Sequence, residues 1–284
     1  MNSAFKDPVV IITGSSRGIG RAIALAYARK GARLVLAARN RDALDAVSGE
    51  AKAIGVDVLA ITVDVTDPVA TKALVDSAVE RFGRVDVLVN NAGIGRVGAV
   101  NEAGFERDIN ATLQASLFGM LRLVQAVVPL MRAQGTGTIV NMSSVMGRKA
   151  FARFGSYAIV MHAVSALSDA LRQELAGTGV HVAVIHPALT ATDLLRDAPL
   201  ADMPPPFRHM TPISVDKVAH AVIGAVDYRR RRVVLPWQAN MLLLGEALSP
   251  RLGDAIARAL AVKPIAGLLG MSRGSTYHEL IARG

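Results

Sequence analysis

The sequence contains no cysteine, so it can form neither a disulfide nor a thiolate metal site, and we predict no bound metal. Aromatic residues make up only 4% of the 284 residues, although the formal net charge is +9. No stacking platform and no arginine-rich recognition helix accompanies this charge, so we do not expect nucleic-acid binding. The positive charge remains available for a phosphate-bearing cofactor or an anionic lipid.

Long uncharged segments are also missing. No apolar run reaches the roughly 18 to 20 residues that a membrane span needs. The first residues, MNSAFKDPVVIITG, lack the basic region and apolar core of a secretory signal. These absences predict a cytoplasmic protein. The chain is nevertheless 51% apolar, which suits a sheet that is covered by helices on both faces.

Short β-branched runs alternate along the chain with longer amphipathic segments, a pattern typical of βαβ units. The predicted fold is therefore α/β and Rossmann-type: a doubly wound, mainly parallel seven-stranded sheet with helices on both faces. Residues 1–236 are predicted to form this single domain. The seven predicted strands cover residues 8–13, 33–38, 56–64, 85–90, 137–144, 180–187 and 231–236.

Two segments depart from this pattern. Residues 196–212 are rich in proline and lack periodicity, which predicts a lid loop outside the carboxyl end of a strand. Its apolar side chains indicate a medium or bulky hydrophobic substrate. Residues 237–284 are predicted to form a C-terminal helical extension that packs on the same domain or on a partner subunit. Peripheral contact of these helices with a membrane is the alternative. The apolar residues in and beside the lid are Leu194, Leu195, Met203, Phe207 and Met210.

A glycine-rich loop, TGSSRGIG at residues 13–20, joins the first strand to the first helix. Gly14 permits a tight turn, Gly18 lets the backbone approach a pyrophosphate, and Gly20 allows the helix to pack closely on the sheet. The start of the helix offers free N–H groups and a positive dipole end to phosphates. The predicted cofactor-binding residues in this loop are Gly14, Ser16, Arg17, Gly18, Ile19 and Gly20.

The end of the second strand, LAARNRD, bears on the choice of dinucleotide. An NAD site usually ends this strand with a carboxylate that binds the ribose 2′-hydroxyl. Here Ala38 takes that place and Arg39 follows, and a guanidinium favours a 2′-phosphate. Arg17 can supply a second positive charge. We therefore predict NADP(H) in preference to NAD(H), with Arg39 and Asn40 at the adenosine ribose. The alternative is that Arg39 is only a solvated residue at a helix start.

Further motifs follow the glycine loop in a fixed order: DVTD at 64–67, NNAG at 90–93, VPLM at 128–131, NMSS at 141–144 and HPALTAT at 186–192. With these motifs the chain strongly resembles the short-chain dehydrogenase/reductase family from about Pro8 to Gly224. The resemblance implies an NAD(P)-dependent oxidoreductase. It also implies further cofactor contacts at Asp64, Val65, Asn91, Ala92, Gly93, Tyr157, Pro187 and Thr192.

The same resemblance places the catalytic residues. Ser144 ends the fifth strand, and Tyr157 follows it at the spacing usual in the family. A serine hydroxyl can hold a carbonyl oxygen, and a tyrosine hydroxyl can give that oxygen a proton as hydride arrives from a nicotinamide. The implied reaction is hydride transfer between the nicotinamide and a carbonyl or alcohol, with reduction favoured.

Two positions depart from the family pattern. The family usually carries a lysine four residues after the tyrosine, where this chain has Met161, and an active-site asparagine where it has Ser116. Asn110 lies about 240° further round a regular helix and is not an obvious substitute. We retain Met161 and Ser116 as candidate catalytic positions. Without a neighbouring charge, Tyr157 is expected to keep a pKa near its reference value of about 10.

Other residues can be considered as replacements for the missing charge. His162 lies roughly 140° from the face of Tyr157 on a regular helix. His186 ends the sixth strand near the cofactor side, while Arg148 and Lys149 follow Ser144 in a loop.

Three interpretations remain open for the whole chain. It is an active NADP(H)-dependent oxidoreductase, or a catalytically impaired or non-catalytic homologue that binds dinucleotide or another ligand. A third interpretation is an engineered variant that was changed between Tyr157 and Met161. The family resemblance also implies a homodimer or homotetramer, formed through the helices predicted at 105–134 and 156–176.

Overall fold

The computed structural model describes residues 5–195, 198, 200–272 and 274–281. Its sheet has seven parallel strands in the order β3-β2-β1-β4-β5-β6-β7. Each strand lies within its predicted range, so the predicted doubly wound α/β fold is confirmed. The strands are β1 (Val9–Thr13), β2 (Arg33–Ala38), β3 (Val58–Thr62), β4 (Val87–Asn90), β5 (Gly137–Met142), β6 (Val180–Pro187) and β7 (Arg232–Leu235).

Seven α-helices accompany the sheet. They are α1 (Gly18–Ala28), α2 (Arg41–Ala53), α3 (Pro68–Phe82), α4 (Phe105–Thr112), α5 (Gly119–Gln134), α6 (Gly155–Glu174) and α7 (Val215–Asp227). Helices α1, α2 and α7 bury their apolar residues against one face of the sheet, and α3, α5 and α6 against the other. Because both faces are covered, β1 and β6 are buried at every residue, which accounts for the nearly continuous apolar strands in the sequence.

The segment between α4 and α5 differs from the regular helix predicted for residues 105–134. Residues Leu113–Phe118 form a π-helical segment, which contains Ser116. The combined helix Phe105–Gln134 includes an 18-residue window with a mean hydropathy of 1.4, so by length and composition it could cross a membrane. Leu123, Val127 and Met131 of this helix are buried against the sheet, and a core helix of an α/β protein has the same apolar composition.

Among the described residues, four α-helices follow β7: α8 (Ala239–Leu248), α9 (Pro250–Leu260), α10 (Lys263–Leu268) and α11 (Tyr277–Ile281). Their inward side chains join a third core cluster with residues from the loop after β5 and from the predicted lid. Lys149, in the loop after β5, is buried and pairs with Glu246 of α8 at 2.7 Å and Asp254 of α9 at 2.6 Å. The division of the chain into a domain of residues 1–236 and a C-terminal extension of residues 237–284 stays a prediction.

Candidate functional site

A cavity of about 530 Å³ lies at the carboxyl ends of the strands, next to β1 and β4, where the strand order reverses. Open α/β sheets bind ligands at this position. All but one of the predicted site residues lie on the cavity wall, and Gly20 packs beneath it. The wall contains Gly14, Ser16, Arg17, Gly18, Ile19, Arg39, Asn40, Asp64, Val65, Asn91, Ala92, Gly93, Ser116, Ser144, Tyr157, Met161, Pro187 and Thr192.

The glycine loop turns so tightly that a side chain is excluded at Gly14 and at Gly20. Gly14 has a φ of +64°, and a Cβ at that residue would lie 3.0 Å from the Cα of Ala92. A Cβ on Gly20 would lie 2.2 Å from the carbonyl oxygen of Gly14. Helix α1 therefore begins close beneath the cavity. Its first turn contains no acidic residue and its N-cap makes no side-chain hydrogen bond, which leaves its N-terminus suited to a phosphate group.

Thr13 and Asn91 lock the glycine loop to the end of β4. The Asn91 side-chain amide donates to the carbonyl oxygens of Thr13 at 3.0 Å and Gly14 at 3.2 Å. The Thr13 hydroxyl accepts the backbone N–H groups of Asn91 and Ala92, each at 3.0 Å. Sequence reasoning did not single out Thr13. Its position at the end of β1, beside the strand that ends in NNAG, was the available signal.

The predicted adenosine end of the cavity carries two arginines. Arg39 is exposed, and Arg17 pairs with Asp193 at 3.6 Å. The side chain of Asn40 caps α2 by accepting the N–H of Ala43 at 2.9 Å. A hydrogen bond from the backbone N–H of Thr66 holds the pKa of Asp64 below its usual value. This end of the cavity thus combines positive charge at Arg17 and Arg39 with the polar groups of Asn40 and Asp64.

Ser144 and Tyr157 meet at the other end of the cavity. The Ser144 hydroxyl accepts the N–H of Met146 at 3.1 Å and donates to the carbonyl of Pro187 at 3.3 Å. Burial raises the pKa of Tyr157 to about 12, although the neighbouring Ser144 hydroxyl acts to lower it. The expectation that this pKa stays near its reference value is therefore wrong, because desolvation disfavours the phenolate.

Met161 lies one turn after Tyr157 on α6, and its buried side chain forms part of the cavity wall. Its carbonyl oxygen accepts the hydroxyls of Ser143 at 3.1 Å and Ser165 at 2.9 Å. Among the described residues of the wall, positive side chains occur only at the adenosine end, at Arg17 and Arg39. The surroundings of Tyr157 on this wall are therefore uncharged.

His186 is close to Ser144 but lies outside the cavity wall. It is buried, and its Nδ1–H donates to the carbonyl oxygen of Ser144 at 2.9 Å. Burial lowers the pKa of His186 to about 4 despite this hydrogen bond, and Arg232 and Arg148 add to the effect. His186 is therefore neutral near pH 7 and supports the backbone of Ser144 rather than supplying a charge.

The other candidate charges also lie away from Tyr157. His162 is exposed and bonds through Nδ1 to the carbonyl of Ala158 at 2.8 Å. Lys149 points to the C-terminal helices, and neither it nor Arg148 lies on the cavity wall. Within the described part of the chain, the structure brings none of the proposed replacement charges onto that wall.

Ser116 reaches the cavity from the π-helical segment. Its hydroxyl accepts the backbone N–H of Ile94 at 3.3 Å, and a Cβ on Gly93 would lie 2.9 Å from the same oxygen. Short π-helical segments within α-helices often occur at functional sites. Asn110 is exposed and is absent from the wall, so the structure does not bring it to the site.

The substrate end of the cavity is apolar and includes a residue that the sequence did not indicate. Leu194, Leu195, Phe207 and Tyr277 line it. The Tyr277 hydroxyl, from α11, donates to the carbonyl of Thr192 at 2.7 Å and accepts the N–H of Leu195 at 3.1 Å. No motif surrounds Tyr277 in the sequence.

The predicted lid loop is only partly on the cavity wall. Met203 and Met210 are buried in the third core cluster, away from the wall. Residues 196, 197 and 199 of this loop lie outside the described residues.

Comparison with known proteins agrees with this geometry. The family described as short chain dehydrogenase matches residues 8–202. The chain belongs to the short-chain dehydrogenase family. It is therefore an oxidoreductase of the short-chain dehydrogenase type, as the sequence motifs predicted.

Relatives and solved structures extend the similarity beyond the matched segment. An oxidoreductase of Mycobacterium tuberculosis is 32% identical over 261 residues, which cover 90% of this chain and 74% of the relative. A short-chain dehydrogenase from Streptomyces avermitilis has a TM-score of 0.77 at 33% identity, covering 87% of this chain and 94% of the other. L-sorbose reductase from Gluconobacter frateurii, solved with NADPH and L-sorbose, has a TM-score of 0.73 at 29% identity, covering 83% and 97%.

Proposed function

We propose that this short-chain dehydrogenase is an NADP(H)-dependent oxidoreductase that transfers a hydride between the nicotinamide and a carbonyl or alcohol. We infer that it favours reduction and acts on a medium or bulky apolar substrate. One observation carries the proposal. The hydroxyls of Ser144 and Tyr157 lie together on the wall of the same cavity that begins at the glycine loop.

The residues at the glycine loop fit a dinucleotide. The close approach of Gly14 and Gly20 leaves the uncapped N-terminus of α1 for the pyrophosphate, and Arg17 and Arg39 would face a 2′-phosphate. When bound, the dinucleotide would supply or accept the hydride. The structural similarity to a sorbose reductase that was solved with NADPH supports this choice of cofactor.

The chain's own residues then hold and protonate the substrate oxygen. Ser144 would hold the carbonyl oxygen, and Tyr157 would give that oxygen its proton. With a pKa of about 12, Tyr157 is protonated at neutral pH, as reduction requires. Oxidation of an alcohol would need the phenolate as base, and the uncharged wall around Met161 does not stabilise that phenolate. These two facts support a preference for reduction.

The substrate end supports an apolar substrate. Leu194, Leu195, Phe207 and Tyr277 present mainly hydrocarbon or aromatic surface to the cavity. Burial of such surface favours binding by about 25 cal/mol per Å² of apolar area. A ketone carried on an alkyl or aromatic body would place its oxygen at Tyr157 and its body against this wall.

Binding without turnover is the second candidate function. Met161 takes the position of the family's usual lysine, so the described wall around Tyr157 contains no cation. A protein with this site could bind a dinucleotide or an apolar ligand as a sensor or partner subunit. If residues between Tyr157 and Met161 were changed, naturally or by engineering, the protein could likewise either turn over a substrate or only bind a ligand.

Fluorescence titration and consumption of NADPH together test these functions. We expect tighter binding of NADPH than of NADH, and oxidation of NADPH in the presence of bulky ketones. Tyr157→Phe is expected to keep NADPH binding within about twofold and to lower turnover by about a hundredfold or more, because the proton donor is lost. The matched control is Tyr228→Phe, at an exposed tyrosine away from the cavity. Full turnover by Tyr157→Phe contradicts the assigned proton donor. Binding without consumption across a broad pH range favours the second function.

We also propose a cytoplasmic homodimer or homotetramer. Its interfaces would be formed by the helical segment 105–134 and by α6. Phe118 and Ile159 expose large apolar side chains on these helices, and a partner subunit would cover them. Light scattering of the purified chain measures the assembly directly.

A further inference from the structure

The helices that follow β7 expose an unusually apolar surface, which we call the C-terminal face. Eight large apolar side chains form it, with exposed fractions between 39% and 84%. Monomeric soluble proteins rarely leave large contiguous apolar patches exposed without a function. The C-terminal face consists of Trp237, Met241, Leu244, Leu248, Leu252, Val262, Ile265 and Leu268.

Helix α8 accounts for the centre of this face. Met241, Leu244 and Leu248 follow one another at helical spacing and point outward, while Leu242 and Gly245 are buried on the opposite side. A helix with apolar residues all round is normally buried. The outward side of α8 is therefore covered by nothing within the described chain, although its composition resembles that of a core helix.

The face continues from α8 onto its neighbours. A Cβ on Gly245 would lie 3.5 Å from the Cγ of Leu252, so α9 packs beside the buried side of α8, and Leu252, which is 43% exposed, lies at the edge of that contact. At the other end, the side-chain amide of Gln238 donates to the carbonyl of Leu269 at 3.2 Å. This hydrogen bond brings the start of α8 to the end of α10, where the neighbouring residues Trp237 and Leu268 are both exposed.

The charges around the face are mainly positive. The acidic residues of α8 and α9, Glu246 and Asp254, both pair with the buried Lys149, and the Asp254 side chain is itself 56% exposed. Arg251 and Lys263 are exposed and have no ion-pair partner among the described residues, and Arg258 is exposed on α9 near Asp254. The outer side of α8–α10 thus combines apolar side chains with cations.

We propose that the C-terminal face docks on an anionic lipid surface. Helices that lie in a membrane interface bury an apolar face and carry Lys or Arg beside it. Tryptophan, as at Trp237, is enriched at the level of the lipid headgroups. Each Lys or Arg near an anionic leaflet adds electrostatic attraction to the binding. The combination of exposed leucines with unpaired cations matches that chemistry.

A second copy of the chain is the alternative occupant, and the charges argue against it. In a two-fold interface the same patch meets itself. Arg251, Arg258 and Lys263 of one copy would then approach the same cations of the other, and such like-charge contacts oppose association. Docking on an anionic lipid surface brings these cations next to opposite charges, so no like-charge repulsion opposes it.

Docking would place the substrate end of the cavity near the lipid. The inner sides of the C-terminal helices contribute Ala239, Leu260 and Tyr277 to the core cluster that contains Phe207, and both Phe207 and Tyr277 line the cavity. An apolar substrate dissolved in the membrane would then be close to the site. The docking itself does not rest on the proposed reaction.

Vesicle sedimentation of the full chain tests the docking. The probes are vesicles of phosphatidylcholine alone and vesicles that also contain phosphatidylglycerol. We expect at least about tenfold tighter binding to the anionic vesicles, and weaker binding as salt is raised. The double variant Leu244→Ser/Leu248→Ser is expected to bind at least about tenfold more weakly. The matched control, Val69→Ser on α3, changes an apolar residue that is 76% exposed and should bind as the parent chain does.

A charge variant and a light-scattering measurement complete the test. Arg251→Glu/Lys263→Glu leaves the apolar residues in place and should abolish the preference for anionic vesicles. Thermal unfolding of each variant verifies that it is folded. The proposal is overturned if the parent chain does not bind anionic vesicles, or if Val69→Ser loses binding as strongly. It is also overturned if light scattering shows that Leu244→Ser/Leu248→Ser dissociates an oligomer of the parent chain and the parent chain does not bind vesicles.

Discussion

At the scale of single residues, Tyr157 shows how the surroundings of one hydroxyl control its protonation. Its pKa is raised to about 12 because burial disfavours the phenolate more than the neighbouring Ser144 hydroxyl favours it. Met161, one turn away, contributes no charge to offset this burial. The proton thus stays on Tyr157 through the whole neutral range, ready for donation to a carbonyl oxygen.

Replacing Met161 by lysine restores a charge at this position. The side chain of Met161 lies on the cavity wall, and lysine has a similar length, so its ammonium group can approach Tyr157. We expect Met161→Lys to lower the pKa of Tyr157 and to raise turnover with NADPH and a ketone by about tenfold. A pH–rate profile measures the change: loss of reduction at alkaline pH should begin at a lower pH than in the parent chain.

The control for this variant is Met161→Leu, which keeps the apolar character and should leave the pH profile unchanged. If Met161→Lys has the parent profile and the parent turnover, the proton comes from another group.

Motifs made most site residues predictable, because backbone geometry at strand ends restricts which residues fit. Gly14, Asn91 and Ser144 belong to such motifs, and the structure places all three on one cavity wall. The raised pKa of Tyr157 was not predictable, because it depends on burial by side chains from distant segments. The same holds for Tyr277, whose contacts with Thr192 and Leu195 bridge more than eighty residues of sequence.

At the scale of elements, the start of α1 depends on the absence of one side chain. A methyl group on Gly20 would meet the carbonyl of Gly14 at 2.2 Å, so α1 would have to move away from the loop. Overpacking of this kind costs about 1 to 3 kcal/mol. We expect Gly20→Ala to lower the free energy of unfolding by about 2 kcal/mol and to weaken NADPH binding. Chemical denaturation and NADPH titration measure these effects.

Gly49 provides a matched control on α2. A Cβ at Gly49 would contact nothing within 4 Å, and alanine is preferred to glycine inside a helix by about 1 kcal/mol. Gly49→Ala should therefore stabilise the chain and leave NADPH binding unchanged. If Gly20→Ala and Gly49→Ala changed the free energy of unfolding and the NADPH affinity equally, the close approach of Gly14 and Gly20 would not determine either property.

The strands were predictable to within a few residues at each end, since alternating segment types mark βαβ units. The π-helical segment at Leu113–Phe118 was not. Over six residues, the apolar spacing of a π-turn cannot be told from that of an α-turn. A π-turn contains more residues than an α-turn, so each residue in the segment is rotated by less than 100° from the previous one. The angle of about 240° between Asn110 and Ser116, which assumes a regular α-helix, therefore does not hold.

At the scale of the whole molecule, one buried histidine makes stability depend on pH. His186 has a folded-state pKa of about 4, against an unfolded reference of about 6.5. Between these values the unfolded chain binds a proton that the folded chain does not, so stability falls as the pH falls through this window. The pKa difference corresponds to about 3 kcal/mol lost between about pH 7 and pH 4.

Denaturant unfolding at several pH values checks this expectation. His186→Asn keeps a side-chain N–H at the position of Nδ1 for the carbonyl of Ser144 but cannot be protonated, so its stability should depend less on pH in that window. His220→Asn, at an exposed histidine of α7, is the control and should follow the parent chain. Parallel pH curves for all three chains would exclude His186 as the source.

The ion pairs of Lys149 with Glu246 and Asp254 have a consequence for protein engineering. They join the loop between β5 and α6, which contains Ser144, to helices that come about a hundred residues later. If this loop were replaced by one from a relative that has no cation at position 149, Glu246 and Asp254 would lose their ion-pair partner. Exchange of substrate specificity between members of the family should therefore transfer the loop and the α8–α9 hairpin together.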